Sequence, residues 1–272
     1  MCSDMAVGLG HLTSGIRMVG SKKSLGQHWL KNREILEEIA ELAAGSSEYE
    51  NSEKTGVCVE IGPGLGTLTS SLLRRFDKVV AVEYDERLAE NLPKSFPGKN
   101  LEVINGDILE FDFGKMTQPY VIAGNIPYYI TSPIIEKVLL AENRPSRVVL
   151  LVQKEVAGRI LAEKETGLSL FVKNRAKVLA GPVVGKKEFT PSPKVDSQVI
   201  VLEPNEPLVG DEVFELIRRG FVAPRKKLIH NLAGLKSKSE LMRIFEEYGL
   251  DVDARPGDLK LEDWAKLYKK LY

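Results

Sequence analysis

Val57-Cys58-Val59-Glu60-Ile61-Gly62-Pro63-Gly64-Leu65-Gly66 runs from a short apolar stretch into three glycines, and Thr67 to Arg75 follow with Leu68, Leu72 and Leu73 on one side. The apolar run reads as a buried strand, the glycines as a tight turn and the leucine spacing as a helix. Strand, glycine turn and helix together open an α/β unit. The G-x-G-x-G spacing differs from the G-x-G-x-x-G dinucleotide fingerprint, and no Gly-Lys-Ser/Thr follows to cradle phosphates. On its own the motif is also compatible with an ordinary glycine-rich connection.

The alternation continues on both sides. Lys78 to Glu83 reads as a strand and Asp85 to Leu92 as a helix stopped by Pro93 and Pro97. Leu101 to Asn105 is a strand, Tyr120 to Ala123 and Ile130 to Leu140 a strand and a helix, and Val148 to Val152 a further strand. Such alternation predicts a mostly parallel, doubly wound sheet. Upstream, Ile35, Leu36, Ile39, Leu42 and Ala43 make one apolar helix face, and residues 45–56 read as a loop. From about Leu208 only helical spacing remains: Val213, Phe214 and Ile217, then Leu241, Ile244 and Phe245, then Trp264, Leu267 and Tyr268. The expected organisation is a Gly- and Ser-rich disordered extension over residues 1–20, an α/β domain over 21–205 and a small all-helical domain over 206–272.

Composition narrows the function. The 272 residues carry no formal net charge, with 43% hydrophobic and 28% charged residues, ordinary globular values. Charge is uneven, however. Between Lys173 and Lys194 lie Lys173, Arg175, Lys177, Lys186, Lys187 and Lys194 against Glu188 alone, and a second basic run extends from Arg218 to Arg243. Each run can be a solvated face; two of them in the later part of a neutral chain point to a basic surface. Cys2 and Cys58 form no disulfide framework, and His11, His28 and His230 form no metal motif, so no metal is expected and a reducing cytoplasm is. No run reaches the roughly 18 apolar residues of a membrane span, and no basic start leads into an apolar core as in a secretory signal.

Three polar residues stand at successive strand ends. Glu83 lies about 20 residues beyond the glycine turn, where a carboxylate can accept both hydroxyls of a ribose. Asp107 can accept an adenine N6–H and leave the Ile108 N–H for a ring nitrogen. Each also has a plainer reading, as a helix N-cap or turn residue. Asn125-Ile126-Pro127-Tyr128 then closes the strand from Tyr120. The Asn125 side-chain oxygen and a backbone carbonyl near Pro127 can accept the two N–H bonds of an adenine N6, and Tyr128 can stack on the ring. With no Lys or Arg in the glycine turn, a nucleoside without phosphates fits best, and S-adenosylmethionine is such a ligand. Phe189-Thr190-Pro191-Ser192-Pro193-Lys194-Val195-Asp196-Ser197 is a stiff loop. Phe189 can lie over a target base opposite Tyr128, or be a core residue ahead of a proline-rich turn. The implied chemistry is positioning plus charge complementarity at an amine, without a general base. A duplex target has to be flipped out; a loop adenine costs less to expose.

Four segments together resemble the ribosomal RNA adenine N6,N6-dimethyltransferase family: Lys23-Ser24-Leu25-Gly26-Gln27-His28-Trp29-Leu30, Glu60 to Gly66, Asn125 to Tyr128, and Phe189 to Ser197. The resemblance runs from about Lys22 to the C-terminus. It implies a Rossmann-like class I methyltransferase domain with a small helical C-terminal domain. The implied activity is S-adenosylmethionine-dependent dimethylation of two adjacent adenosines in a 3′-terminal hairpin of small-subunit ribosomal RNA during ribosome biogenesis. It implies that Gln27, His28 and Leu30 wall the donor, that Gly62 and Gly64 contact its methionine part, and that Glu83 holds its ribose. Asp107 and Ile108 would hold its adenine, with Asn125 beside it. Asn125, Pro127, Tyr128 and Phe189 would act on the target base. Lys22 and Lys23, and Arg225, Lys226 and Lys227 in a basic helix over Phe221 to Leu232, would contact RNA; family members often carry Gln-Arg-Arg-Lys where this chain has Ala223-Pro224-Arg225-Lys226-Lys227. The expected partner is a pre-assembled small ribosomal subunit, met by a monomer away from membranes. Two other readings remain open at this point: a large-subunit methyltransferase of the macrolide-resistance type, and a non-catalytic ribosome-assembly or transcription factor on the same scaffold.

Overall fold

The computed structural model describes residues 27–45 and 56–272. The expected disordered extension, most of the expected loop, and Lys22 and Lys23 therefore lie outside the described residues. The chain begins with β1 (Trp29–Leu30) and α1 (Arg33–Ala44), then alternates β2 (Val57–Ile61), α2 (Thr67–Arg75), β3 (Lys78–Glu83), α3 (Glu86–Ser95), β4 (Leu101–Asn105), β5 (Tyr120–Asn125), α4 (Thr131–Leu139) and β6 (Arg147–Gln153). There follow α5 (Lys154–Leu161), α6 (Gly167–Arg175), β7 (Ala176–Val184), β8 (Phe189–Thr190) and β9 (Ser197–Pro204). The C-terminal helices are α7 (Asp211–Gly220), α8 (Leu228–Asn231), α9 (Lys238–Glu247) and α10 (Leu261–Leu271).

Seven strands form one sheet in the order β4-β3-β2-β5-β6-β9-β7. The β4, β3, β2, β5 and β6 neighbours pair in parallel, whereas β9 pairs antiparallel with both β6 and β7. Strand residues alternate between the two faces. Val59, Ile61, Val80, Ile122 and Leu150 meet α4 and α5 through Ile134, Ile135, Val138 and Ile160. Cys58, Val79, Ala123, Val149 and Leu151 share the opposite core with Leu36 and Ile39 of α1 and Leu68 and Leu72 of α2. Burial on both faces explains why these strands are nearly continuous apolar runs. The order reverses between β2 and β5, and the carboxyl ends of both strands border the crevice that such a switch point opens.

The structure corrects several expectations. Pro93 lies inside α3, which runs on to Ser95. A proline removes one N–H, but its own φ is helical, so one further turn is tolerated near a helix end. β7 and β9 add two antiparallel strands that the alternation pattern did not announce. The expected basic helix over Phe221 to Leu232 is instead a turn leading into the four-residue α8. Asn231 pins that turn, its Nδ2 donating to the carbonyls of Gly220 at 2.6 Å and Ala223 at 3.1 Å. The helical tail is as expected: Val213, Ile217, Leu241, Phe245, Trp264 and Leu267 share a core, which Leu170 of α6 also enters.

Candidate active site

A cavity of about 270 Å³ opens at the carboxyl edge of the parallel strands. The glycine turn forms its floor. Gly62, Gly64 and Gly66 all have positive φ, at 64°, 59° and 83°. At Gly64 the fit is also tight, since an added Cβ would lie 3.0 Å from Trp29 Nε1. The turn is thus as thin as backbone allows, and Trp29 lies against it.

Glu83 fixes the turn. Its Oε2 accepts the Gly64 N–H at 3.0 Å and its Oε1 the Asp85 N–H at 2.9 Å. A carboxylate offers about four lone-pair positions, so acceptor capacity remains for a ligand. The expected alternative role of Glu83 as a helix cap falls to Asp85, which caps α3 through the Arg87 N–H. Burial pushes the Glu83 carboxyl up, countered in part by the Asp85 and Gly64 N–H groups. Asp107 is part of a turn, accepting the Leu109 N–H at 2.9 Å through Oδ1. The Ile108 N–H has no acceptor among the described residues. Asp107 and Ile108 both line the cavity.

Asn125 sits at the tip of β5. Its Nδ2 donates to the His28 carbonyl at 2.8 Å. A carbonyl can only accept, so the amide nitrogen is the atom committed there and Oδ1 is the one left for a ligand. The Pro127 carbonyl accepts the Ile130 N–H at 3.3 Å and keeps a second lone pair. The Tyr128 hydroxyl shares a hydrogen bond of 2.7 Å with Ser197 Oγ, and its ring stacks with His28 at 5.9 Å between centroids and 20° between planes. Burial raises the Tyr128 phenol above its ordinary value, so it stays protonated.

Gln27, His28 and Leu30 reach the cavity by way of a short ribbon. β1 pairs antiparallel with β8, Trp29 opposite Thr190 and Leu30 opposite Phe189. His28 Nδ1 lies 2.7 Å from the Pro191 carbonyl, which makes Nδ1 the protonated ring nitrogen. The same ribbon corrects the expected role of Phe189. Its ring is 3% exposed and packed in the core with Leu30 and Leu36, so it does not line the cavity and has no face to offer a base here. The plainer reading of Phe189, a core residue ahead of a proline-rich turn, is the one its position fits.

The structure thus brings together Gln27, His28, Leu30, Gly62, Gly64, Glu83, Asp107, Ile108, Asn125, Pro127 and Tyr128 around one cavity. It places Arg225, Lys226 and Lys227 elsewhere, exposed on the turn before α8, with Lys227 paired to Asp253. Sequence reasoning missed Trp29, Glu60, Tyr84 and Tyr129. Tyr84 and Tyr129 line the mouth and are each 64% exposed. Glu60 is 1% exposed, and its Oε2 has no hydrogen-bond partner. Burial raises its carboxyl to about 8, with the nearby Glu83 adding to the rise. The available signal was a lone carboxylate in an otherwise apolar strand. Two carboxyls and no basic side chain around the glycine turn suit a ligand that is cationic at one end and nucleoside-like at the other. Among the described residues no group of His, Cys, Asp and Glu is arranged to hold a metal, and no helix is long and apolar enough to cross a membrane.

Comparison with known proteins agrees with this geometry. A family model described as ribosomal RNA adenine dimethylase matches residues 18–272. The chain is 37% identical to a ribosomal RNA small subunit methyltransferase A of Mycoplasmopsis pulmonis, covering 92% of this chain and 99% of that protein. It is 38% identical to the protein of that name from Synechocystis sp., over 90% and 94% of the two chains. Among solved structures, a dimethyladenosine transferase from Plasmodium falciparum superposes with a TM-score of 0.74 at 30% identity, over 89% of this chain and 98% of that one. The 23S rRNA methyltransferase ErmE superposes at 0.70 with 26% identity, over 89% and 99%.

Proposed function

Because the chain belongs to the ribosomal RNA adenine dimethylase family, we propose that the cavity at the carboxyl edge of its sheet is where it dimethylates adenosine at N6 in small-subunit ribosomal RNA. The fold is the Rossmann-like class I methyltransferase α/β fold, and the chain is an S-adenosylmethionine-dependent methyltransferase. The observation that carries the site assignment is the committed amide of Asn125. With Nδ2 held by the His28 carbonyl, Asn125 presents an acceptor at the strand tip, which is what an amine requires.

S-adenosylmethionine, when bound, supplies an electrophilic methyl group on a sulfonium. Gly62 and Gly64 let backbone approach its methionine end, Glu83 accepts from the ribose, and Asp107 with the Ile108 N–H reads the adenine. Gln27, His28 and Leu30 form the wall. The Glu83 carboxyl, and the Glu60 carboxyl once the donor's charge favours its ionised form, complement that positive charge. On the target side, Asn125 Oδ1 and the Pro127 carbonyl accept the N6–H bonds. That favours a localised lone pair over one delocalised into the ring, and the geometry is held before reaction rather than during it. Tyr128 offers a ring edge or face to the base, with Tyr129 exposed beside it. No side chain has to act as a base, since the proton leaves to water from a strongly acidic ammonium.

Residues 21–205 serve as the catalytic domain and 206–272 as a helical RNA-binding domain, with Arg225 and Lys226 among the cations that make no ion pair among the described residues, and Lys22 and Lys23 as further contacts. The substrate is a pair of adjacent adenosines in a 3′-terminal hairpin, met in a partly assembled small subunit by a monomer of the cytoplasm. The test is incubation with labelled S-adenosylmethionine and separated ribosomal subunits lacking these methyl groups, followed by mapping of the modified nucleotide. Dimethyladenosine in small-subunit RNA is expected. Label in large-subunit RNA alone overturns the reading, as does tight subunit binding without label.

A further inference from the structure

The cations between Lys173 and Lys194 divide into two groups. Lys173 pairs with Glu165 at 2.9 Å, Arg175 with Asp211, and Lys177 with Glu203 at 3.5 Å. Lys186, Lys187 and Lys194 are exposed and make no ion pair among the described residues. Lys186 and Lys194 join Lys154, the first residue of α5, around a shallow concavity completed by Glu155, Val195 and Asp196.

Asp196 organises this concavity. Its carbonyl accepts the Lys154 N–H at 3.0 Å, and its Oδ1 accepts the Lys186 N–H, also at 3.0 Å. Ser192 Oγ donates to the Lys186 carbonyl at 2.8 Å. The backbones of Lys154 and Lys186 are therefore fixed, while the side chains of all three lysines are exposed. Glu155 is the second carboxylate on the rim. The next residue, Ser197, pairs with Gln153 across the β6–β9 ladder and holds the Tyr128 hydroxyl at 2.7 Å. One residue step thus separates Asp196, which holds the Lys154 and Lys186 backbones, from Ser197, the anchor of the ring that meets the target base.

We propose that Lys154, Lys186 and Lys194 form a phosphate-binding site for the RNA strand carrying the target adenosine, each neutralising one phosphodiester of the stretch beside the extruded nucleotide. The inference rests on the RNA methyltransferase reading above. Lysine ammoniums are compact, strongly hydrated point charges, suited to phosphate oxygens and without base-specific geometry. Backbone contacts of this kind fix register, while the reading of the base stays at Asn125. Extruding a nucleotide costs stacking and pairing energy, and a backbone grip held beside the base-binding ring offsets it where it is needed.

The experiment measures binding of undermethylated small ribosomal subunits from about 50 to 200 mM KCl, the range over which counterion release is large. It compares wild type with Lys154→Ala/Lys186→Ala/Lys194→Ala, alongside donor Kd and the KM for subunits. The log–log salt slope is expected to fall by about 2, since each single-strand phosphate contact contributes roughly 0.7. The KM for subunits is expected to rise on the order of tenfold near 0.1 M salt while donor Kd holds, as for loss of phosphate contacts alone. The triple Lys→Arg variant keeps the wild-type slope. Lys186→Ala and Lys194→Ala alone, each expected to lower the slope by about 0.7, decide the matter if the triple variant does not fold. An unchanged slope with intact donor binding overturns the proposal, and so does a fall in kcat with no change in KM. Absence of both binding and transfer by the wild type defeats the enzyme reading first, and this inference with it.

Discussion

Asn125 and Glu83 stand at the tips of different strands, and their substitutions separate two kinds of loss. On the proposed assignment Asn125→Ala removes the acceptor for the reacting amine, so transfer is expected to fall by about 10²–10³ or more while donor binding survives. Transfer at the wild-type rate would remove Asn125 from the site. Glu83→Ala is expected to weaken donor binding by about ten- to a hundredfold, as loss of hydrogen bonds to a charged group does; an unchanged donor Kd in calorimetry counts against its role. Glu60 makes a third case, through pH. Its folded value of about 8 lies above the ordinary 4.5, so the folded state holds the proton more tightly. That contribution to stability is complete below about 4.5 and is lost as pH rises through 8. The wild-type melting midpoint should therefore fall across this window relative to Glu60→Gln. A cationic donor favours the ionised form, so binding at pH 7 should release protons, seen as a calorimetric enthalpy that varies with buffer ionisation; no variation refutes it. The positions of Asn125, Glu83 and Asp107 at the rim of the cavity were legible because polar residues at strand tips stand out against apolar runs. Glu60 looked like part of a strand, and only its depth shows a carboxyl held neutral.

At the scale of elements, β2 and β5 pair with Ile61 opposite Gly124. An added Cβ there would lie 2.8 Å from the Ile61 carbonyl oxygen, which is backbone and cannot rotate away. Gly124→Ala is expected to cost about 1–3 kcal/mol, read as a lower urea midpoint, and to shift Asn125 next door. A wild-type midpoint would mean that the strands part freely. The parallel half of the sheet was legible because all of its strands except β4 lead into a helix. β7 and β9 were not. β7 carries Lys177, Gly181 and Pro182 and shifts register between Ala180 and Val183, which blurs any period. It is an edge strand, where a proline without an N–H is tolerated. β9 begins at Ser197, the last residue of the proline-rich motif, and that motif drew the reading toward a loop. The place of Phe189 was hidden for a related reason: its partner, Leu30, lies at the other end of the domain, and no local pattern reports such a pairing.

At the scale of the whole molecule, Glu165 ties the sheet-bearing part to the C-terminal helices. It is buried and accepts from Ser169 Oγ at 2.7 Å and from Lys173 Nζ at 2.9 Å, and Lys260 Nζ lies 3.3 Å away. Arg175 adds to the junction, its guanidinium 4.7 Å from the Phe171 ring and 5.1 Å from the Phe214 ring. Burial works to raise the Glu165 carboxyl, but Ser169 and the two lysines outweigh it and hold it below 4.5. Its contribution is present above that value and is lost as pH falls through the folded one. Glu165→Gln is expected to lower stability at neutral pH and to flatten the acid limb of the stability curve; an acid limb that keeps its slope would refute this. The ribbon of β1 on β8 has a consequence for biosynthesis. Residues 30 and 189 must meet before the wall of the donor cavity exists, and contacts so distant along the chain form late because they close a long loop. A growing chain that has not yet reached Thr190 can have its glycine turn and its carboxylates in place and still lack one side of the pocket. Retention on an immobilised analogue of S-adenosylmethionine should therefore distinguish finished molecules from shorter nascent ones, so that the ligand itself reports completion of the catalytic half.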